Sequence, residues 1–78
     1  MLDATAIGRI IQKYREQQGL SQEVVSSFAD IGRTHLSAIE RGKRKPTLDT
    51  FFKISYALKT TPSKLMKKIE DEIGDDFL

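Results

Sequence analysis

An all-α domain of five short helices around one compact core is what this 78-residue sequence predicts. Three observations carry the expectation. Apolar residues recur at helical spacing in five successive segments, and no stretch alternates apolar and polar residues as a half-buried strand would. Cap residues, glycines and prolines separate those segments, which keeps every connection short. The chain is too small for two cores, since a domain of this length buries only about 60 to 65% of its unfolded surface. Cysteine is absent, so stability has to come from tight helix packing or from association of copies.

Taken in order, Ile7, Ile10, Ile11 and Tyr14 put one apolar stripe on a first helix over roughly residues 4 to 18, with Gly19 as a left-handed stop. Ser21 offers a side-chain oxygen to free backbone donors and starts a second helix, in which Val24, Val25 and Phe28 are expected inward and Ala29 lies near the end. Asp30 and Gly32 interrupt it. A third helix, Arg33 to Arg41, carries Leu36 and Ile39 on one face and only small or polar Thr34, Ser37 and Ala38 on the other. Gly42 ends that helix, and a basic loop follows to Pro46, which cannot continue a helical ladder. Thr47 caps a fourth helix whose apolar positions, Leu48, Phe51, Phe52, Ile54, Tyr56, Ala57 and Leu58, cover more than one side. Thr61 with Pro62 at the first helical position opens a fifth, striped by Leu65, Met66, Ile69 and Ile73 and closed by Gly74. The expected division is a domain over residues 1 to 74 and an acidic tail over 75 to 78.

Charge is unevenly placed. The formal balance is only +2, from 13 basic and 11 acidic residues. From Glu70 onward there are five acids and no base, so residues 1 to 69 hold thirteen bases against six acids. The body is thus +7 and the end −5. Arg41, Lys43, Arg44 and Lys45 form the densest basic run, which suits a polyanion better than an acidic substrate; a solvated loop is the plainer alternative. No apolar run approaches the roughly 18 residues of a membrane span, and no basic flank precedes an apolar segment at the start. A cytoplasmic protein without membrane contact is expected. Enzymatic chemistry is not expected either, because there is no nucleophile with a base, no carboxylate pair and no phosphate-cradling glycine loop. His35 stands alone, which argues against a metal site, and no cofactor is implied.

Residues 21 to 41 have the form of a helix, a short turn and a second helix with a small exposed face. In a helix-turn-helix the second helix enters the major groove of double-stranded DNA while the first crosses the backbone. Small side chains there permit close approach. Arg33 can donate twice to guanine O6 and N7, and Thr34 can bond a base edge or touch a thymine methyl. Ser37 and Ala38 follow one turn later on the same face.

The segments GLSQE at 19–23 and IERGKRKP at 39–46, within a stretch running from about Ile7 to Met66, resemble the helix-turn-helix domain of phage repressors, Cro and regulators of the xenobiotic-response-element type. RTHLSAIERG at 33–42 is similar to the recognition segment of restriction-modification controller proteins. The resemblance implies a lambda-repressor-like fold. It also implies that Gln22 meets phosphate or the neighbouring base, that Arg33, Thr34, Ser37 and Ala38 face the groove, and that Arg41, Lys43 and Arg44 sit against phosphates. Lys45 is a candidate beside them, and His35 is expected at the DNA backbone. Arg15 and Glu40 match a pair that forms a largely buried salt bridge in this family. Asp30 stands where the turn usually has glycine, and Ser26 where the second helix usually packs alanine.

Family members pair through their C-terminal helices, which makes Phe52, Tyr56, Leu65 and Ile69 the expected dimer residues. Glu23 matches an acidic position that some relatives use to touch RNA polymerase, though a solvated acid is the weightier reading. The function expected is that of a homodimeric regulator, repressor or activator, on a palindromic operator, with no sensor domain. The alternative is an antitoxin that neutralises a partner protein and also binds its own operator.

Overall fold

A computed structural model describes residues 2–74, and the acidic tail expected at 75–78 lies outside the described residues. Five helices follow one another: α1 Ala4–Gln17, α2 Gln22–Phe28, α3 Arg33–Glu40, α4 Leu48–Ala57 and α5 Pro62–Ile73. Side-chain oxygens start four of them. Asp3 accepts from the Thr5 N–H, Ser21 from Val24, Thr47 from Thr50 and Thr61 from Lys64. The Asp3 cap adds to those expected from the sequence.

The helix ends repeat one device. After α1, α2, α3 and α4 a residue turns left-handed: Gly19 (φ 69°), Asp30 (φ 56°), Gly42 (φ 74°) and Lys59 (φ 60°). At each, the next N–H reaches back to a carbonyl five residues earlier, as in Leu20 to Arg15, Ile31 to Ser26, Lys43 to Ala38 and Thr60 to Ser55. This double closure satisfies carbonyls that a helix end leaves free. Asp30 therefore takes the left-handed place that glycine takes after α1 and α3.

The core is built from Ile7, Ile10 and Ile11 of α1, Val25 of α2 with Ala29 behind it, Leu36 and Ile39 of α3, Phe51, Ile54 and Leu58 around α4, and Leu65 and Ile69 of α5. Helix α1 packs on α3 and α5, and α2 packs on α3 and α4. Gly8 makes the first of these contacts possible. A Cβ there would lie 2.6 Å from the Glu40 carbonyl oxygen, so the end of α3 is seated directly on the α1 backbone.

Two expectations about burial are corrected. Phe28 and Val24 do not face inward: they are 76% and 39% exposed. A helix turns about 100° per residue, and the buried face of α2 is centred between Val25, Ser26 and Ala29, which turns Val24 and Phe28 away. Ser26 fits this buried place because its hydroxyl donates to the Glu23 carbonyl at 3.1 Å within the same helix. Leu65 and Ile69, expected at a dimer interface, are 0% and 1% exposed in the single chain. The α5 stripe is consumed by its own core and offers these two side chains to no partner.

Candidate DNA interface

The candidate site lies on the third helix and the basic loop behind it. Its geometry starts from α3, whose inward side is fixed by buried Leu36, Ile39 and Glu40. Helical periodicity then sends Thr34, Ser37, Ala38 and Arg41 to the opposite side, with Arg33 and His35 on its two edges. Arg33, Thr34 and Arg41 are exposed, whereas His35, Ser37 and Ala38 are half-buried. Arg41 Nε donates to the Ser37 hydroxyl at 3.3 Å, which lays this arginine back along the small face of α3 rather than into the loop.

Past Gly42, the N–H of Lys43 is bonded to the Ala38 carbonyl at 2.9 Å. The basic loop is therefore tied to α3 at its first residue. Lys43, Arg44 and Lys45 are exposed. Among the described residues the ion pairs involve Arg9, Arg15, Lys53 and Lys67. Arg33, Arg41, Lys43, Arg44 and Lys45 have none there, so a cluster of uncompensated cations surrounds the exposed face of α3. Such a cluster attracts phosphate, and small residues between the cations allow a duplex to come near.

Behind this face lies the Arg15–Glu40 pair. Arg15 Nε donates to Glu40 Oε2 at 2.7 Å and its NH2 group to Oε1 at 2.9 Å, while NH1 donates to the Leu20 carbonyl at 2.8 Å. The two side chains are 11% and 2% exposed. The hydrogen bond that Arg15 donates to Glu40 holds the Arg15 pKa above its ordinary value, against the opposing effect of burial. The ion pair thus ties the end of α1 to the end of α3, beside the close approach at Gly8.

Gln22, expected to reach toward DNA, is half-buried and its Nε2 donates to Glu40 Oε1 at 2.9 Å. Neither this bond nor the Gly8 contact is legible in the sequence, because both depend on how α1, α2 and α3 converge. A glycine inside an apolar helical stripe is the one signal that could have pointed to Gly8, since it costs helix stability and needs a packing reason. Of the expected dimer residues, Phe52 and Tyr56 are 48% and 62% exposed. Leu48, at 72%, continues their stripe one turn earlier on α4, and Phe28 stands near Tyr56 across an open cleft also lined by Leu20, Ala29 and Ala57.

A helix-turn-helix family model matches residues 11–65. The control protein C.MunI of a Mycoplasma species is 42% identical over 66 residues, which make up 83% of this chain and 89% of that protein. The control protein C.BamHI of Bacillus amyloliquefaciens is 41% identical over 59 residues, 70% of this chain and 73% of the relative. Among solved structures, the restriction-modification controller protein C.AhdI from Aeromonas hydrophila has a TM-score of 0.78 at 29% identity, covering 83% of this chain and 98% of its own. The C.Esp1396I controller tetramer in complex with its natural 35 base-pair operator has a TM-score of 0.85 at 25% identity, covering 94% and 96%. With a helix-turn-helix family model matching most of the chain and relatives at this identity, the chain belongs to the helix-turn-helix proteins of Cro and phage-repressor type, as a transcriptional regulator similar to the restriction-modification controllers.

Proposed function

We propose that this protein is a homodimeric, sequence-specific DNA-binding regulator that occupies a palindromic operator, in the manner of a controller. The observation that carries the proposal is the small outward face of α3 beside a group of cations that no acid neutralises among the described residues. Arg33, Thr34, Ser37 and Ala38 would meet base edges, and Arg41, Lys43 and Arg44, with His35 and Lys45 at the margins, would meet the backbone. Base contacts then supply specificity and phosphate contacts supply register. Glu23, exposed on α2, would be the candidate contact for RNA polymerase. No catalytic group or cofactor is assigned, and the cytoplasm and nucleoid are the fitting place.

The dimer is argued from surface chemistry. Leu48, Phe52 and Tyr56 recur at i, i+4 and i+8, and Phe28 widens the apolar area across the cleft. Several large exposed apolar groups on one side of so small a domain favour a partner. A second copy suits them because one recognition helix reads too few base pairs to define a site, whereas two about 34 Å apart read both halves of a palindrome. Phe52 and Tyr56 remain the proposed contact, with Leu48 and Phe28 added and the buried Leu65 and Ile69 removed. Selection of bound sequences from random DNA at two salt concentrations, with sedimentation of the protein and of its Tyr56→Asp variant, tests the proposal. A palindromic consensus, a dimer and a monomeric variant are expected. Binding without base preference, or a monomer that binds a single half-site as well as the full operator, would overturn it.

A further inference from the structure

The Glu40 carboxylate receives three hydrogen bonds from two helices. Two come from Arg15, and the third comes from Gln22, the first residue of α2. An ionised carboxylate paired with arginine accepts hydrogen bonds and donates none. The Gln22 side chain can therefore turn only its NH2 group toward Glu40, which directs its carbonyl oxygen away from the carboxylate. An amide on an exposed helix ordinarily rotates between its two faces at little cost. Here one orientation is imposed by a group that is itself locked by two bonds at 2.7 and 2.9 Å and almost wholly buried.

We infer that Glu40 is a positioning residue for DNA recognition: through its bond to Gln22 Nε2 it fixes which edge of the Gln22 amide the protein presents. The inference rests on the proposed DNA contact of α2 and α3. Gln22 is left with its carbonyl acceptor and one remaining N–H. That combination suits a base edge carrying a donor, such as the amino group of adenine or cytosine, better than a phosphate, which has acceptors alone. The buried ion pair then has two tasks. Arg15 and Glu40 hold α1 to α3, and the same carboxylate sets the chemistry of a side chain at the DNA.

Glu40→Gln separates the tasks, because it is close to isosteric but reverses half of the bonding. Arg15 donates to both carboxylate oxygens and Gln22 shares Oε1 with it, so an amide at residue 40 can turn either its oxygen or its NH2 group to that place and offer Gln22 an acceptor or a donor, where the carboxylate offers acceptors alone. Gln22 is then no longer held to one orientation and can present either edge. The experiment compares the wild type, Gln22→Ala, Glu40→Gln and the double variant on a panel of single-base operator changes, below the unfolding temperature of each. The expected result is that Glu40→Gln changes preference by at least about fivefold, the low end for one base contact, at the position where Gln22→Ala also acts. In the Gln22→Ala background Glu40→Gln should change nothing further in preference. An equal change with and without Gln22 would show that Glu40 acts through the fold alone and would overturn the inference.

A second measurement needs neither DNA nor a folded variant. In the free wild-type protein, nuclear magnetic resonance should find one Gln22 side-chain proton slow to exchange with solvent. If both exchange as fast as in an exposed glutamine, the orienting bond does not exist and the inference is overturned. If the proton is protected but Gln22→Ala binds every operator as the wild type does, the contact of Gln22 with DNA fails instead, and the recognition role of Glu40 fails with it. The proposed regulator would then stand on α3 and the basic loop.

Discussion

Two arginines leave the same helix and each finds a carboxylate far along the chain, yet the two pairs differ in almost everything except distance. Arg15 meets Glu40 at 2.7 Å with side chains 11% and 2% exposed. Arg9 meets Glu72 at 3.0 Å with side chains 60% and 38% exposed. The first pair is bidentate, has a third bond from Gln22 and lies beside the α1–α3 crossing. The second is a single contact at the rim between α1 and the end of α5. Burial and the number of satisfied bonds, and not proximity, decide what such a pair contributes.

The largest effect should come from breaking the buried pair. Glu40→Ala leaves the Arg15 guanidinium confined without its counter-charge, and removal of one partner from a buried pair costs about 3 to 5 kcal/mol. Small domains have only about 5 to 15 kcal/mol in total. Urea unfolding should show the midpoint falling steeply with little change in slope. A loss below about 1 kcal/mol would mean that the pair behaves like its exposed counterpart. The arginine side of this contribution should not vary with pH near neutrality. The Arg15 pKa is raised by its hydrogen bond to Glu40, so its contribution is complete below arginine's ordinary range and disappears only as pH rises through the still higher folded value.

A third arginine sharpens the comparison because it has no partner at all among the described residues. Arg33→Ala should leave stability nearly unchanged while weakening operator binding by about 1 to 3 kcal/mol, chiefly at one base position in each half-site. Equal weakening on all sequences would make Arg33 a phosphate contact. Arg15, Arg33 and Arg9 would then rank differently in an unfolding assay and in a binding assay, which is the separation of fold from function that the two surfaces imply.

How far the sequence foretells this arrangement varies with the kind of signal. Caps and stops are local, and so Ser21, Thr47, Thr61, Gly19 and Gly42 are legible from residue type. Helical spacing after Ile11 and Leu36 turns Arg15 and Glu40 toward the core, but that they pair is legible only through family resemblance, since 25 residues separate them. Phe28 misleads because a seven-residue helix has too few apolar positions to define its own inward face, and Val25 with Ala29 claims it. Leu65 and Ile69 mislead for the opposite reason: an apolar stripe looks the same whether its own core or a partner covers it.

Lys59 is the stop that residue type does not announce. It sits at φ 60° where Gly19 and Gly42 occupy the matching places after α1 and α3. A side chain in left-handed conformation costs roughly 1 to 2 kcal/mol relative to the right-handed form, a penalty glycine avoids. Lys59→Gly is therefore expected to stabilise the fold by about 1 kcal/mol, part of the gain being lost to the greater freedom of glycine in the unfolded chain. For a domain of this size that is a rise of about 4 to 8 °C in Tm. A fall in Tm would mean that the Lys59 side chain contributes more than its backbone costs.

The smallest effect should come from Arg9→Ala, and it tests the comparison from the other end. Exposed pairs of this kind are worth about 0 to 1 kcal/mol, because solvent and salt screen the charges and two long side chains must be held in place. Arg9 and Glu72 are both open to water. They also lie among the acids of α5, where Lys67 and Asp71 form a separate pair at 3.0 Å. Removing Arg9 should shift the unfolding midpoint by no more than about 0.5 kcal/mol, and raising the salt concentration should erase even that difference. A loss approaching that of Glu40→Ala, persistent in high salt, would mean that the end of α5 depends on this contact for its docking and that rim and core pairs in so small a domain are not the separate cases their burial implies.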